Sequence, residues 1–245
     1  MSRALARRAS AEFAGTALLV TAVVGSGITA ARLSPGDVGL QLLENAIATA
    51  FALGALILMV GPVSGAHLNP VVSAVDWWLG RRAGTGLTGR DFAGYAVAQV
   101  AGAIAGAVLA NVMFDLPPVT WASTSRTGGN LLLAEVVATA GLVVLVVALA
   151  RSGRTAAAPA AVGAHIGAAY WFTSSTSFAN PAVTVGRAFT DTFAGIAPSS
   201  VPGFVAAQLV GGLVAVAAIA AWYPHPASAA DAVVVPPLAE ESARP

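Results

Sequence analysis

Six stretches of this chain, residues 10–31, 40–61, 91–113, 131–150, 158–175 and 203–223, are predominantly apolar. Each is close to the length of about 20 residues that a helix needs to cross the hydrocarbon core of a bilayer. Only 9% of the residues are charged, against about 25% in an ordinary soluble domain. The mean hydropathy is +0.78. Six spans with short connections occupy nearly all of the 245 residues and leave no room for a separate soluble domain. The expectation is an all-α, polytopic membrane protein whose first partner is the lipid bilayer. Its expected membrane-embedded part is 10–223, after a short segment 1–9. The Ala- and Pro-rich tail 224–245 is expected to be disordered. "MSRALARRAS" ahead of an apolar run has the outline of a signal peptide, but the run is long enough to span, so it reads as an uncleaved first helix.

Two further apolar pieces, about 69–79 and 181–190, are too short to span, and each starts at an Asn-Pro step, Asn69-Pro70 and Asn180-Pro181. Asn caps a helix N-terminus with its side-chain oxygen, and Pro suits the first helical position because its missing N–H would be unpaired anyway. Both pieces therefore read as half-helices that enter the membrane and turn back.

The breaks belong to a repeat. "AEFAGTALLV" resembles "AEVVATAGLV", and Glu12, Asn69 and Gln99 recur in order as Glu135, Asn180 and Gln208. Gly102 and Gly211 each follow the Gln by three residues. Repeat one covers about 10–113 and repeat two about 131–223. Each holds three spans and one half-helix, so the odd number of spans inverts the second repeat relative to the first.

Arginine placement orients the whole. Arg3, Arg7, Arg8, Arg81, Arg82, Arg90, Arg151, Arg154 and Arg244 fall on one side of six spans, and Arg32, Arg126 and Arg187 on the other. Positive residues favour the cytoplasm, so the expectation is a cell-membrane protein with both termini on the cytoplasmic side. The two half-helices then enter from opposite faces. Each N-terminus carries about half a positive charge, and each Asn side chain offers N–H donors. Such a constriction repels cations, occupies the lone pairs of a passing oxygen and interrupts a proton-conducting chain.

"AEFAGT", "SGAHLNPVV", "AQVAGA" and "FANPAV" resemble the aquaporin and aquaglyceroporin (major intrinsic protein) family. The resemblance implies a right-handed bundle of six helices and two half-helices, four pores per homotetramer, and passive flow of water or small neutral solutes. It assigns Asn69, Pro70, Val71 and Asn180, Pro181, Ala182 to the two pore boxes. Val71 stands where the family box has Ala and is expected to add bulk where the half-helices touch.

The larger departure is Val183. In most members an Arg follows the second box directly and narrows the outer mouth. The Arg four residues later, Arg187, is expected to point elsewhere, toward solvent or headgroups. By the same alignment the selectivity filter comprises Thr49, Ser177, Val183 and either Ala168 or Tyr170, because the loop is two residues shorter. A mouth without the Arg implies a wide, uncharged filter for glycerol-sized molecules. "TSFANPAV" followed by "RAFTDTFAGIAP" is similar to a bacterial subgroup associated with arsenic-resistance genes, which implies arsenite, a neutral triol, or methylated arsenicals as substrates.

Other residues have plainer readings. Glu12 and Glu135, costly in a membrane, are expected to accept hydrogen bonds from loop N–H groups. Gln99 and Gln208 either tie helices together or support the Asn loops. His67 either lines the pore or packs in its loop. Gly15, Gly54, Gly94, Gly102, Gly106, Gly163, Gly167 and Gly211 read as close helix contacts. Asp76, Trp77 and Trp78 read as interfacial anchors.

The absence of cysteine excludes disulfides and thiolate chemistry. The net charge of +1 argues against a nucleic-acid partner. No cofactor or metal is expected, and no catalytic constellation is present, since "PVSGAH" lacks the nucleophile-elbow pattern. Within the channel reading a strictly water-selective pore is the alternative. A secondary transporter is the alternative of a different class; it would need coupling groups near the midplane, where only Glu12 and Glu135 stand.

Overall fold

The structure, a computed structural model, describes residues 2–81 and 84–223. Eight helices follow in order: α1 (Arg3–Leu33), α2 (Val38–Ser64), α3 (Pro70–Gly80), α4 (Gly89–Met113), α5 (Gly129–Arg151), α6 (Ala158–Phe172), α7 (Pro181–Gly186) and α8 (Val201–Trp222). There is no strand among the described residues. Five of these helices, α1, α2, α4, α5 and α8, are long and apolar enough to cross a membrane.

The sixth expected span is shorter than its apolar run. α6 has 15 residues, about 22 Å at 1.5 Å per residue, and a 3₁₀ turn at Thr155–Ala157 lengthens it at its start. It stops at Phe172 because Thr173 turns its hydroxyl back to Ala169 O (2.6 Å) and goes extended. The chain then runs inward as a loop. α1 differs in the other direction. It begins at Arg3, with Ser2 Oγ accepting from Leu5 N (3.2 Å), so most of the segment 1–9 is helix. Leu5 packs with Leu87 and Tyr95, and Arg8 pairs with Asp91 at 3.2 Å. Arg82, Arg244 and the tail 224–245 lie outside the described residues.

The two repeats fold alike. α1 packs on α4, and its counterpart α5 packs on α8. The halves meet where α2 lies against α6 and where each half-helix packs on the other half's last helix, α3 on α8 and α7 on α4. The α1–α4 contact is backbone-close. A Cβ on Gly102 would lie 2.3 Å from Phe13 O, and one on Gly106 2.1 Å from Ala17 O. Without side chains to keep the helices apart, dispersion contact substitutes for the missing hydrophobic drive between spans. Large apolar side chains such as Phe51, Val97 and Leu213 stand exposed on the outside, as a lipid-facing surface requires. Near one end Trp77 stacks on Phe92 (5.6 Å between centroids), and the Arg81 guanidinium lies 3.6 Å from the Trp78 centroid.

Candidate functional site

The site grows from two buried carboxylates. Glu12 of α1 and Glu135 of α5 are fully enclosed. Glu12 Oε1 accepts from Ser64 Oγ (2.6 Å) and His67 N (3.0 Å); Oε2 accepts from Leu68 N (2.6 Å) and Gln99 Nε2 (2.7 Å). Glu135 repeats the pattern. Its Oε1 accepts from Ser175 Oγ (2.6 Å) and Phe178 N (2.9 Å), and Oε2 from Ala179 N (2.8 Å) and Gln208 Nε2 (2.6 Å). A carboxylate with four donors has its charge met by hydrogen bonds rather than by a cation. Gln99 and Gln208 thus support the loops through the carboxylates. Each also donates to the half-helix beside it, Gln99 to Ser73 Oγ (3.0 Å) and Gln208 to Thr184 Oγ1 (2.8 Å).

These anchors hold a strained backbone. Gly65, Ala66 and Leu68 in the first loop have φ of +88°, +51° and +51°; Thr176, Ser177 and Ala179 in the second have +61°, +49° and +50°. A left-handed conformation costs a non-glycine residue about 1–2 kcal/mol, so the surrounding bonds must impose it. The reward is orientation, because both loops deliver an Asn-Pro step to the same place. Asn69 Nδ2 donates to Ala179 O and Asn180 Nδ2 to Leu68 O, each at 2.7 Å. Asn69 Oδ1 caps α3 through Val71 N (2.9 Å), and Asn180 Oδ1 caps α7 through Ala182 N (3.0 Å) and Val183 N (3.3 Å). Each amide nitrogen carries two hydrogens, and only one is used among the described residues. Both Asn side chains border a cavity of about 480 Å³.

Thr49, Ser177, Val183 and Tyr170 all line that cavity. Thr49 Oγ1 and the Tyr170 hydroxyl lie 3.2 Å apart. Ala168 is exposed on the other face of α6, so of the two alternatives Tyr170 is the one the fold turns inward. His67 also borders the cavity. Its Nδ1 lies 3.0 Å from Ser73 Oγ, and its buried Nε2 has no partner among the described residues. His165 instead packs between helices, with Nε2 3.3 Å from Ala138 O.

Two expectations are corrected. Val71 does not add its bulk between the half-helices. It packs with Val75, Val143, Ala215 and Ile219, a cluster without any α7 residue, and its Cγ1 would lie 2.7 Å from a Cβ on Gly212. The repeat explains the accommodation: Ala182 and Ala103 occupy the corresponding places in the other half, so a larger box residue faces a smaller helix residue. Gly212→Ala is expected to destabilise by about 1–3 kcal/mol through overpacking. A lowered unfolding temperature that Val71→Ala restores would show this; no drop would refute it.

Arg187 does not face solvent or headgroups. It is 3% exposed and lines the cavity. Its Nε donates to Ala194 O, and its guanidinium carbon lies 3.4 Å from the Phe178 ring centroid. Burial of an arginine on an aromatic face is not written in its spacing from the box. Ser64, Ser175, Ser73 and Thr184 are further members of the site. The repeat does carry their signal: Ser64 and Ser175 each precede their Asn by five residues, and Ser73 and Thr184 follow by four.

Comparison with known proteins agrees with this architecture. Residues 1–177 match the family described as major intrinsic protein. The chain is 52% identical over 223 residues to the aquaglyceroporin AqpS of Rhizobium meliloti (strain 1021), covering 91% of this chain and 92% of that one. It is 39% identical over 104 residues to aquaporin Z of Brucella melitensis biotype 1, 42% of each chain. The crystal structure of the aquaglyceroporin from Plasmodium falciparum superposes with a TM-score of 0.65 at 21% identity, covering 88% of this chain and 95% of that one; this likeness speaks to the fold alone. With two inverted repeats, paired Asn-capped half-helices around one cavity and this family match, the chain belongs to the major intrinsic protein family of membrane channels.

Proposed function

We propose that the protein conducts water and small uncharged solutes of glycerol size passively, with neutral arsenicals such as arsenite in the same size class. The carrying observation is the cavity of about 480 Å³ that passes both Asn69 and Asn180 and is bordered by Thr49, Tyr170, Ser177 and Val183. Its lining combines polar groups with apolar residues such as Leu53, Leu142 and Ile166. That pairing suits a polyol, whose hydroxyls and carbon chain need different walls. The free N–H of each Asn supports oxygen binding at the meeting point. The two Asn-Pro boxes form the pore's centre and the four residues above its filter. The channel unit is 10–223, built from repeats about 10–113 and 131–223. It sits in the cell membrane with both termini cytoplasmic and assembles as a homotetramer. Arginine bias supports the orientation, and family likeness supports the assembly.

The coupled-transport alternative is disfavoured by the carboxylates: Glu12 and Glu135 are each saturated with four donors and have no lone pair to spare for a coupling ion.

Stopped-flow light scattering on proteoliposomes tests the proposal with water, glycerol and arsenite as separate solutes. The native protein is expected to pass glycerol and water without saturation. Val183→Arg is expected to slow glycerol about tenfold, the effect of raising the barrier by ~1.4 kcal/mol. Water flux without glycerol flux in the native protein would establish a water-selective pore. Saturable uptake driven by an ion gradient would establish a transporter.

A further inference from the structure

Arg187 is a cation in an unusual position. It is almost wholly buried, and no carboxylate pairs with it: the one ion pair among the described residues is Arg8–Asp91. Nε donates to Ala194 O, while neither terminal nitrogen donates to any acceptor among the described residues. A buried guanidinium without a counter-charge in contact is costly, and a cation–π contact offsets only part of that cost. A second guanidinium lies close by. Arg126, in the loop before α5, donates from Nε to Gly195 O (3.0 Å), and its guanidinium carbon lies 5.1 Å from the same Phe178 centroid. The nearest acid on these loops, Asp191, is engaged by Ser123 N and Oγ (both 2.9 Å). Two arginines therefore converge on one ring beside the cavity with no carboxylate in contact with either, the charge of Glu135 acting on both only from a distance.

The direction of reach matters as much as the charge. α7 starts at Asn180 and runs away from the meeting point of the loops. Val183 and Arg187 are four residues apart and share a face. Helical side chains lean toward the N-terminus, over the turn before their own Cα. The Arg187 side chain lies over the Phe178 ring, which packs among Ala188, Ile196 and Phe204, and it lines the same cavity as Val183. The cation that the chain lacks directly after its second box is thus present in the mouth, delivered from one turn further along.

We propose that Arg187, which lines the cavity together with Val183, makes this mouth a binding position for small monoanions that carry two oxygens on one atom. The planar fork of a guanidinium matches such a pair of oxygens, Arg126 adds to the field, and the ring of Phe178 holds the fork in place. The inference deepens the channel reading and rests on it for its consequence, which is that such anions occupy the mouth and slow the passage of neutral solutes.

The test uses formate and formamide, which share a shape and differ in charge. Thermal unfolding of the purified, detergent-solubilised protein is followed while either is added, with ionic strength held constant by sodium chloride. Formate is expected to raise the unfolding temperature of the native protein saturably and formamide is not. Arg187→Gln is expected to lose the formate effect. Should that variant fail to fold, Arg187→Lys keeps the charge without the fork and is expected to need about tenfold more formate for half its effect. No rise in the native protein, an equal rise with formamide, or an unaltered response in either variant would overturn the proposal. Formate added outside proteoliposomes is expected to slow glycerol flux in the native protein. Because binding is read by unfolding, absence of glycerol flux altogether would count against the channel reading and leave the Arg187 result standing on its own.

Discussion

Replacing Glu135 with leucine is expected to prevent the protein from folding to a functional state. The side chain is fully buried, and four donors converge on it: Ser175 Oγ, Phe178 N, Ala179 N and Gln208 Nε2. Leucine fills much of the volume and accepts nothing. Each buried donor left without a partner costs about 1–3 kcal/mol. Four of them approach the entire stability of an ordinary domain, about 5–15 kcal/mol. The loop they hold is also strained, with Thr176, Ser177 and Ala179 at positive φ, so it would relax as soon as its anchor went. Asn180 would then leave the meeting point, since its Nδ2 bond to Leu68 O depends on the placement of that loop. Size-exclusion profiles of the expressed variant, with glycerol flux on any folded fraction, check the outcome. Glu135→Gln keeps the shape but turns a donor toward donors, so it should fold poorly rather than not at all. Glu12→Leu should match Glu135→Leu, because its four partners are equivalent. A monodisperse Glu135→Leu protein with native unfolding temperature would show that the carboxylate is dispensable.

Gly106→Val is expected to fail at a different step, the docking of α1 on α4. The first added carbon would lie 2.1 Å from Ala17 O. That neighbour is backbone, so no rotamer change relieves the clash and the helices must separate. Separation would also break the bond from Thr21 Oγ1 to Gly106 O (3.1 Å) and loosen Gly102, whose added Cβ would meet Phe13 O at 2.3 Å. Overpacking of a tight core costs about 1–3 kcal/mol when side chains can adjust; here they cannot, and the expected loss is larger. Gly129→Ala serves as the comparison, because a Cβ there meets nothing within 4 Å, and a change within about 0.5 kcal/mol is expected. Unfolding temperatures of the two variants, side by side, decide the matter. Similar values would mean that α1 and α4 tolerate separation.

Much of the molecule was legible from local chemistry. Apolar runs of spanning length mark most of the helices, and Asn-Pro steps mark the starts of α3 and α7, because capping and proline geometry act within a few residues. The repeat adds long-range information without a structure: it pairs Glu12 with Glu135 and Gln99 with Gln208, and the same arithmetic extends to Ser64 with Ser175. Helix ends were less legible. α1 continues down to Arg3 because Ser2 caps it and Leu5 finds a pocket, and α6 stops at Phe172 because the chain must turn inward toward Glu135.

What the sequence by itself determined is the membrane class, the inverted repeat and the chemistry brought to the centre. What only the tertiary structure decided is which way side chains face. Two residues apart on a helix are about 200° apart around it, so a two-residue difference in loop length leaves Ala168 and Tyr170 equally admissible until packing chooses the face. Val71 turned toward Gly212 and not toward α7 because the gap in α8 lay there. Arg187 reached back to Phe178 because its ring and the carbonyl of Ala194 come from loops that meet only in the folded chain. Rotation about a helix axis and the reach of a long side chain are set by neighbours distant in sequence, and no local pattern records them.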